Sequence, residues 1–144
     1  MEKISIKTIG VVKNNIEKPK IGGWNEVISE IILNEEYKEA LDGIDDFSHI
    51  TVIFWMNQVK TCEIKHRPQG TGPLVGILAC RCPTRPNPIG ITTVQLLEHK
   101  GNISKVKGLD VINNTPVIDI KPYTPQYDDV ENIKVPNWVN KLKY

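Results

Sequence analysis

The chain is short of most features that would assign it quickly to a class. It has almost no excess charge: 18 basic and 17 acidic side chains leave a net +1, so no global field draws it to polyanions, and nucleic acid would have to meet a local patch. Aromatic residues make up only 6%, and no apolar run approaches the about 20 residues of a membrane helix. The N-terminal Met1-Glu2-Lys3-Ile4-Ser5-Ile6-Lys7 lacks the apolar centre of a signal peptide, which leads us to expect a cytoplasmic protein. Cysteine is scarce and odd in number. Cys62, Cys80 and Cys82 are too few for a disulfide framework and have no familiar zinc spacing, so we expect reduced thiols and no metal. P-loop, G-x-G-x-x-G, H-E-x-x-H and nucleophile-elbow patterns are all missing, and with them the signatures of P-loop NTPases, dinucleotide-binding sheets, zinc proteases and α/β-hydrolases.

What is present reads as strands. At 144 residues, 40% of them hydrophobic, one domain with one core is the default. Alternation and β-branching predict a first strand over residues 3–12 and a second over 27–33, separated by a loop with Pro19 and Gly22-Gly23. A short helix is expected over 34–41, with Asn34 as its N-cap. Ile50 to Met56 is seven apolar or β-branched residues without a charge, a strand for the core. Leu74 to Cys80 reads as another, and residues 89–98 and 103–111 as a hairpin turning at Gly101-Asn102. Val117 to Ile120 is a last short strand, before a tail expected to bury Trp138. So many short strands with turns about every ten residues predict an all-β antiparallel barrel or sandwich.

Three stretches could carry chemistry. Arg81-Cys82-Pro83-Thr84-Arg85-Pro86-Asn87-Pro88-Ile89-Gly90 packs three prolines into ten residues, and proline restricts both itself and the residue before it, so this loop is stiff before any ligand arrives. Arg81 and Arg85 offer guanidinium forks suited to a carboxylate or phosphate, or they are solvated arginines on a rigid connection. Asn87 either braces the turn or reads a ligand edge. In the second stretch, strict alternation puts Val117, Asp119 and Lys121 on one face against Ile118 and Ile120. Asp119 is there either a solvated ion pair or a carboxylate near Tyr123 at a barrel rim. The third is the basic cluster of Lys60, Lys65, His66 and Arg67, a solvated loop or a contact for RNA phosphates. His49, at the entry to the most apolar strand, reads as structural.

Taken together, Asp46-Phe47-Ser48-His49, the Arg81 to Gly90 loop, and Thr115-Pro116-Val117-Ile118-Asp119-Ile120-Lys121-Pro122-Tyr123 resemble the TsaA-like (TrmO) family, in order and separation, over about residues 3–125. The resemblance implies a single antiparallel β-barrel over residues 1–125 with a packed tail over 126–144. It also implies a homodimeric S-adenosylmethionine-dependent enzyme that methylates N6 of a threonylcarbamoyl-modified adenosine beside the tRNA anticodon. The cofactor positions it implies are Pro19, Lys20, Asn57, Gln58, Arg81, Arg85, Asn87, Ile91, Asp110, Asn113 and Thr115. Asp119 becomes the candidate proton acceptor, Tyr123 a stacking platform, and Lys65, His66 and Arg67 the RNA contacts.

The chain also departs from the family. Where members commonly carry Ala-Thr-Arg-Ser-Pro, it has Ala79-Cys80-Arg81-Cys82-Pro83; where they carry Asp-Gly-Thr-Pro, it has Asn113-Asn114-Thr115-Pro116. Gln69 to Pro73 replaces a stretch that usually holds arginine. These changes keep two other readings open: a methyltransferase of the same fold on another substrate, and a non-catalytic module that binds S-adenosylmethionine or a nucleotide.

Overall fold

A computed structural model describes residues 1–144. Its strands are β1 (Gly10–Lys13), β2 (Ile28–Leu33), β3 (His49–Trp55), β4 (Lys65–His66), β5 (Val75–Gly76), β6 (Ile89–Lys100), β7 (Ile103–Lys107) and β8 (Pro116–Pro122). Six of them close a barrel in the order β1-β2-β7-β6-β3-β8, while β4 and β5 form a separate two-stranded sheet. Every pairing is antiparallel. The all-β barrel expected above is thus the fold observed.

β3 is the central plank, paired along its whole length with β6 on one side and from Ile50 to Phe54 with β8 on the other. Its period of two turns Ile50, Val52 and Phe54 inward, where they meet Val12, Ile31, Val94, Val106 and Val117. β-branched side chains fill such a small barrel because they stand stiffly from the pleat. Gly90 lies opposite Phe54, and a Cβ there would sit 2.2 Å from the ring, so the sheet closes over this phenylalanine only because residue 90 has no side chain.

Four local expectations are corrected. Only Gly10–Lys13 of the first predicted strand is paired; residues 3–8 run free of the barrel, with Ile4 83% exposed, because nothing supplies a partner for their alternating face. The 34–41 helix is a 3₁₀ helix over Glu35–Leu41, and the Asn34 side chain, instead of capping it, donates to Thr8 O at 3.4 Å. The apolar run from Leu74 to Cys80 is a two-residue strand followed by a 3₁₀ turn, Ile77–Ala79, which buries Ile77 in a small second cluster and leaves Leu78 exposed. In β8 strict alternation fails at a bulge. Ile53 pairs with Asp119 but Phe54 with Val117, so Val117 and Ile120 both reach the core while Asp119 and Lys121 still share the outer face.

The tail holds one short helix, α1 (Pro125–Asp128), and a 3₁₀ turn, Asn137–Lys141, that brings Trp138 half-buried against the second cluster. Its end is pinned. Lys143 exchanges two hydrogen bonds with the Gln69 side chain, at 3.0 and 2.8 Å, and Tyr144 O accepts from Gly23 N at 2.8 Å.

Candidate functional site

The antiparallel order sends three connections to one end of the barrel: the β1–β2 loop, the long excursion between β3 and β6, and the β7–β8 connection. Fourteen of the sixteen candidate site residues lie there, on these loops or at the first turn of the strands that leave them.

One structural accident organises this end. β7 pairs with β6 only from Gln95 onward, so residues 89–94 have no strand partner on that side. Unpaired backbone there needs other partners. Arg81 Nη2 donates to Ile91 O at 2.7 Å, and Thr92 Oγ1 donates to the Asp110 carboxylate. The proline loop and the β7–β8 connection therefore meet across a bare strand edge, with the Ile91 side chain 49% exposed between them. Met56 N donates to Pro88 O at 2.8 Å, which carries Asn57 and Gln58 to the same loop.

On the far side of the notch Asn113 ties two connections together. Its Oδ1 accepts from Asn14 N at 3.1 Å, its Nδ2 donates to Glu17 at 3.1 Å, and its own N–H donates to Ile16 O at 2.7 Å. Asn114 follows with φ +68°, the left-handed geometry that asparagine tolerates. In the β1–β2 loop the Lys20 ammonium stands 4.9 Å from the Trp24 ring centre and donates to Gly23 O, fixing the direction of the Pro19-Lys20 step.

The family model of the tRNA-methyltransferase O N-terminal domain matches residues 10–129. The chain belongs to this family. A protein of Archaeoglobus fulgidus described as S-adenosyl-L-methionine-binding is 37% identical over 133 residues, covering 90% of this chain and 96% of its own. A mouse tRNA (adenine(37)-N6)-methyltransferase is 34% identical over 121 residues, which are 82% of this chain but only 28% of that enzyme. The crystal structure of TrmO from Pseudomonas aeruginosa superposes with a TM-score of 0.78 at 26% identity, covering 92% of this chain and 61% of the other. The chain thus spans nearly all of the archaeal relative and less than two-thirds of the TrmO chain.

Within this TrmO-family frame the other candidate residues divide. Arg85 braces the loop: its Nη1 donates to Cys80 O at 2.9 Å and Cys82 O at 3.2 Å. Thr115 is buried, and its hydroxyl donates to Ile112 O at 2.7 Å. The Asn87 side chain stays exposed, its backbone O accepting from Ile89 N. In the RNA-binding candidate set Lys65 is exposed, Arg67 donates to Gly72 O at 3.3 Å, and His66 Nδ1 bonds the Glu63 carboxylate.

Asp119 and Tyr123 are not brought together. Asp119 pairs with Lys121 at 2.9 Å and lies in the same cross-strand row as Ile53 and Ile91, two strands from the notch. The hydrogen bond from Lys121 and the nearby carboxylate raise the lysine's pKa. Tyr123 is at the opposite end, its hydroxyl donating to Asp129, and that bond raises the phenol's pKa.

Two features had no signal in the sequence. Thr84 Oγ1 and His66 converge on Glu63, whose carboxyl is held below its ordinary pKa first by the Thr84 hydrogen bond and then by His66; the Thr84 contact spans 21 residues of chain, which periodicity does not reveal. The other concerns the cysteines. Cys80 and Cys82 form a disulfide, which corrects the expectation of reduced thiols, and only Cys62 is free. The extended backbone at Cys80 and the curl of the loop bring the two Cα atoms to 5.4 Å, within disulfide reach.

Proposed function

We propose that this chain binds S-adenosylmethionine at the notch beside β6 and transfers its methyl group to N6 of an adenosine in tRNA, the threonylcarbamoyl-modified adenosine beside the anticodon. The observation that carries this reading is the meeting of Arg81, Ile91 and Asp110 on the unpaired edge of β6, inside the residues that match the family.

The donor set suits the ligand. The Arg81 guanidinium keeps N–H groups beyond the one given to Ile91 O, matching an amino-acid carboxylate. Asp110 is exposed, with a second oxygen for a ribose hydroxyl, and Ile91 offers an apolar surface for a ring. When bound, S-adenosylmethionine supplies an electrophilic methyl on a sulfonium whose charge is lost on transfer. The chain's task is placement. Arg81 and Asp110 orient the donor from either side of the notch, and Asn113 holds the floor still by joining the two loops. An exocyclic amine also needs an acceptor for its proton, which we assign to Asp119 on the outer row shared with Ile91. Lys65 and Arg67 stand on the excursion at the same end, available to phosphates. The homodimer, which rests on the family resemblance, and a cytoplasmic location, which rests on the polar N-terminal stretch, complete the reading.

A specific observation favours a second reading. Asp119 is already engaged by Lys121, and Tyr123 lies at the other end of the barrel, as suits a module that binds S-adenosylmethionine without transferring its methyl group. The deciding experiment is mass spectrometry of tRNA nucleosides after incubation with the protein and isotopically labelled S-adenosylmethionine. A labelled N6-methyl group that vanishes with Arg81→Ala supports transfer to adenosine. Tight binding with no label in RNA overturns it in favour of the binding module or another acceptor.

A further inference from the structure

The loop that carries Arg81 contains a site that the proposed reaction does not use. Cys80 and Cys82 are joined, both are buried, and with Ile77 they form a separate small cluster against which Trp138 packs. Arg81 is the one residue between them. A bond between residues two apart closes a tight ring and turns the side chain of the middle residue away from the sulfurs. Here that outward side chain is the guanidinium that reaches Ile91 O. From its other side the ring is held by Arg85, which donates to both cysteine carbonyls. The aim of Arg81 is therefore fixed by two devices, of which Arg85 is permanent and the sulfur–sulfur bond is reversible.

We propose that Cys80 and Cys82 are a redox-active pair whose state sets the grip of the Arg81 site on its ligand, and that its reaction partners are a dithiol reductant in one direction and a low-molecular-weight disulfide in the other. The proposal rests on the S-adenosylmethionine reading above. In reduction, a thiolate of the dithiol attacks one sulfur, the Cys80–Cys82 bond breaks, and the second thiol of the reductant resolves the mixed disulfide. Two electrons and two protons pass to the cysteines and the reductant leaves as a disulfide. Oxidation by a small disulfide reverses the balance: two cysteine thiols become one bond and two small thiols leave. Without the bond the sulfurs part to ordinary contact, the ring loosens, and Arg81 must be ordered at the expense of ligand binding, which lowers affinity.

The test uses the full chain carrying Cys62→Ser, so that the exposed third thiol cannot capture the reagents. One sample is equilibrated with oxidised glutathione and one with dithiothreitol, and both are freed of reagent. Thiol titration is expected to find none in the first and two in the second. Reduction should also raise tryptophan emission, because Trp138 loses a disulfide quencher, and Trp138→Phe should abolish that change. By calorimetry the oxidised form should bind S-adenosylmethionine about ten-fold more tightly, the scale of one weakened charge-assisted contact. The double variant Cys80→Thr with Cys82→Ser should bind equally under both treatments. If no bond forms under oxidised glutathione, or if the two states bind equally, the inference is overturned while the ligand reading stands. Absence of binding in both states overturns the ligand reading and this inference with it.

Discussion

Replacing Gly90 by alanine tests the geometry on which the notch depends. The added Cβ would stand 2.2 Å from Phe54 Cε2, 2.3 Å from Cζ and 3.0 Å from Cδ2. Carbon atoms in contact prefer about 3.5–4.0 Å, so the ring must retreat by roughly 1.3 Å or more into a packed barrel. Phe54 is only 3% exposed, with Val52 and Val117 in the same core. Overpacking of this kind costs about 1–3 kcal/mol, from which alanine's smaller unfolded-state entropy recovers about 0.4–1 kcal/mol. We expect a net loss of about 1–2 kcal/mol, which at a urea slope of about 2 kcal/mol/M lowers the unfolding midpoint by about 0.5–1 M. Phe54→Leu removes the ring atoms that clash, so the double variant Gly90→Ala with Phe54→Leu should be more stable than the sum of the single losses by at least about 0.5 kcal/mol. Additive losses, or a Gly90→Ala protein as stable as the parent, would refute the argument that closure over Phe54 requires a glycine.

Arg85→Ala should destabilise the fold by about 2–3 kcal/mol, read by urea unfolding, because two buried-loop carbonyls lose a charge-assisted partner, whereas Arg81→Ala should leave the midpoint nearly unchanged and abolish ligand binding. Asp119→Asn is expected to leave the affinity for S-adenosylmethionine and the urea midpoint unchanged while lowering methyl transfer by about 100-fold or more; equal transfer by the variant would dismiss Asp119 as acceptor. Stability should also depend on His99, whose Nδ1 faces Asp45 and whose Nε2 faces Gly101 O, so that only the imidazolium satisfies both. Burial is the largest single influence and lowers its pKa, but the bonds to Asp45 and Gly101 together outweigh it and the net shift is upward. A folded-state pKa above the ordinary 6.5 means that this stabilisation is complete below pH 6.5 and is lost as pH rises through the folded value. Urea midpoints measured across that window should fall with pH in the parent and run flatter in His99→Gln.

The barrel was legible because its information is local. The uncharged run in β3 and the alternation of β6 and β7 around Gly101-Asn102 carry the period of strands, and period survives tertiary context. Elements whose form depends on a partner were not legible. Residues 3–8 have the same alternation as a strand yet nothing pairs with them, and Leu74 to Cys80 is apolar yet turns into 3₁₀ geometry because its burial is taken up by Trp138 from the far end of the chain.

The site divides along the same line. Residue types on the proline loop point to a guanidinium site, and the stiffness of that loop follows from its prolines alone. Which arginine faces outward does not, because Arg81 and Arg85 stand on the same proline-stiffened loop and carry the same chemistry. What separates them is curvature. The turn that joins Cys80 to Cys82 directs the Cys80 and Cys82 carbonyls to the Nη1 of Arg85, and sends Arg81 to the edge of β6 that β7 leaves bare. The register slip in β8 works in the same way: one extra residue at Ile118 keeps Val117 in the core without turning Asp119 inward. A carboxylate can therefore stand on the outer row with Ile91 while the strand that carries it still closes the barrel.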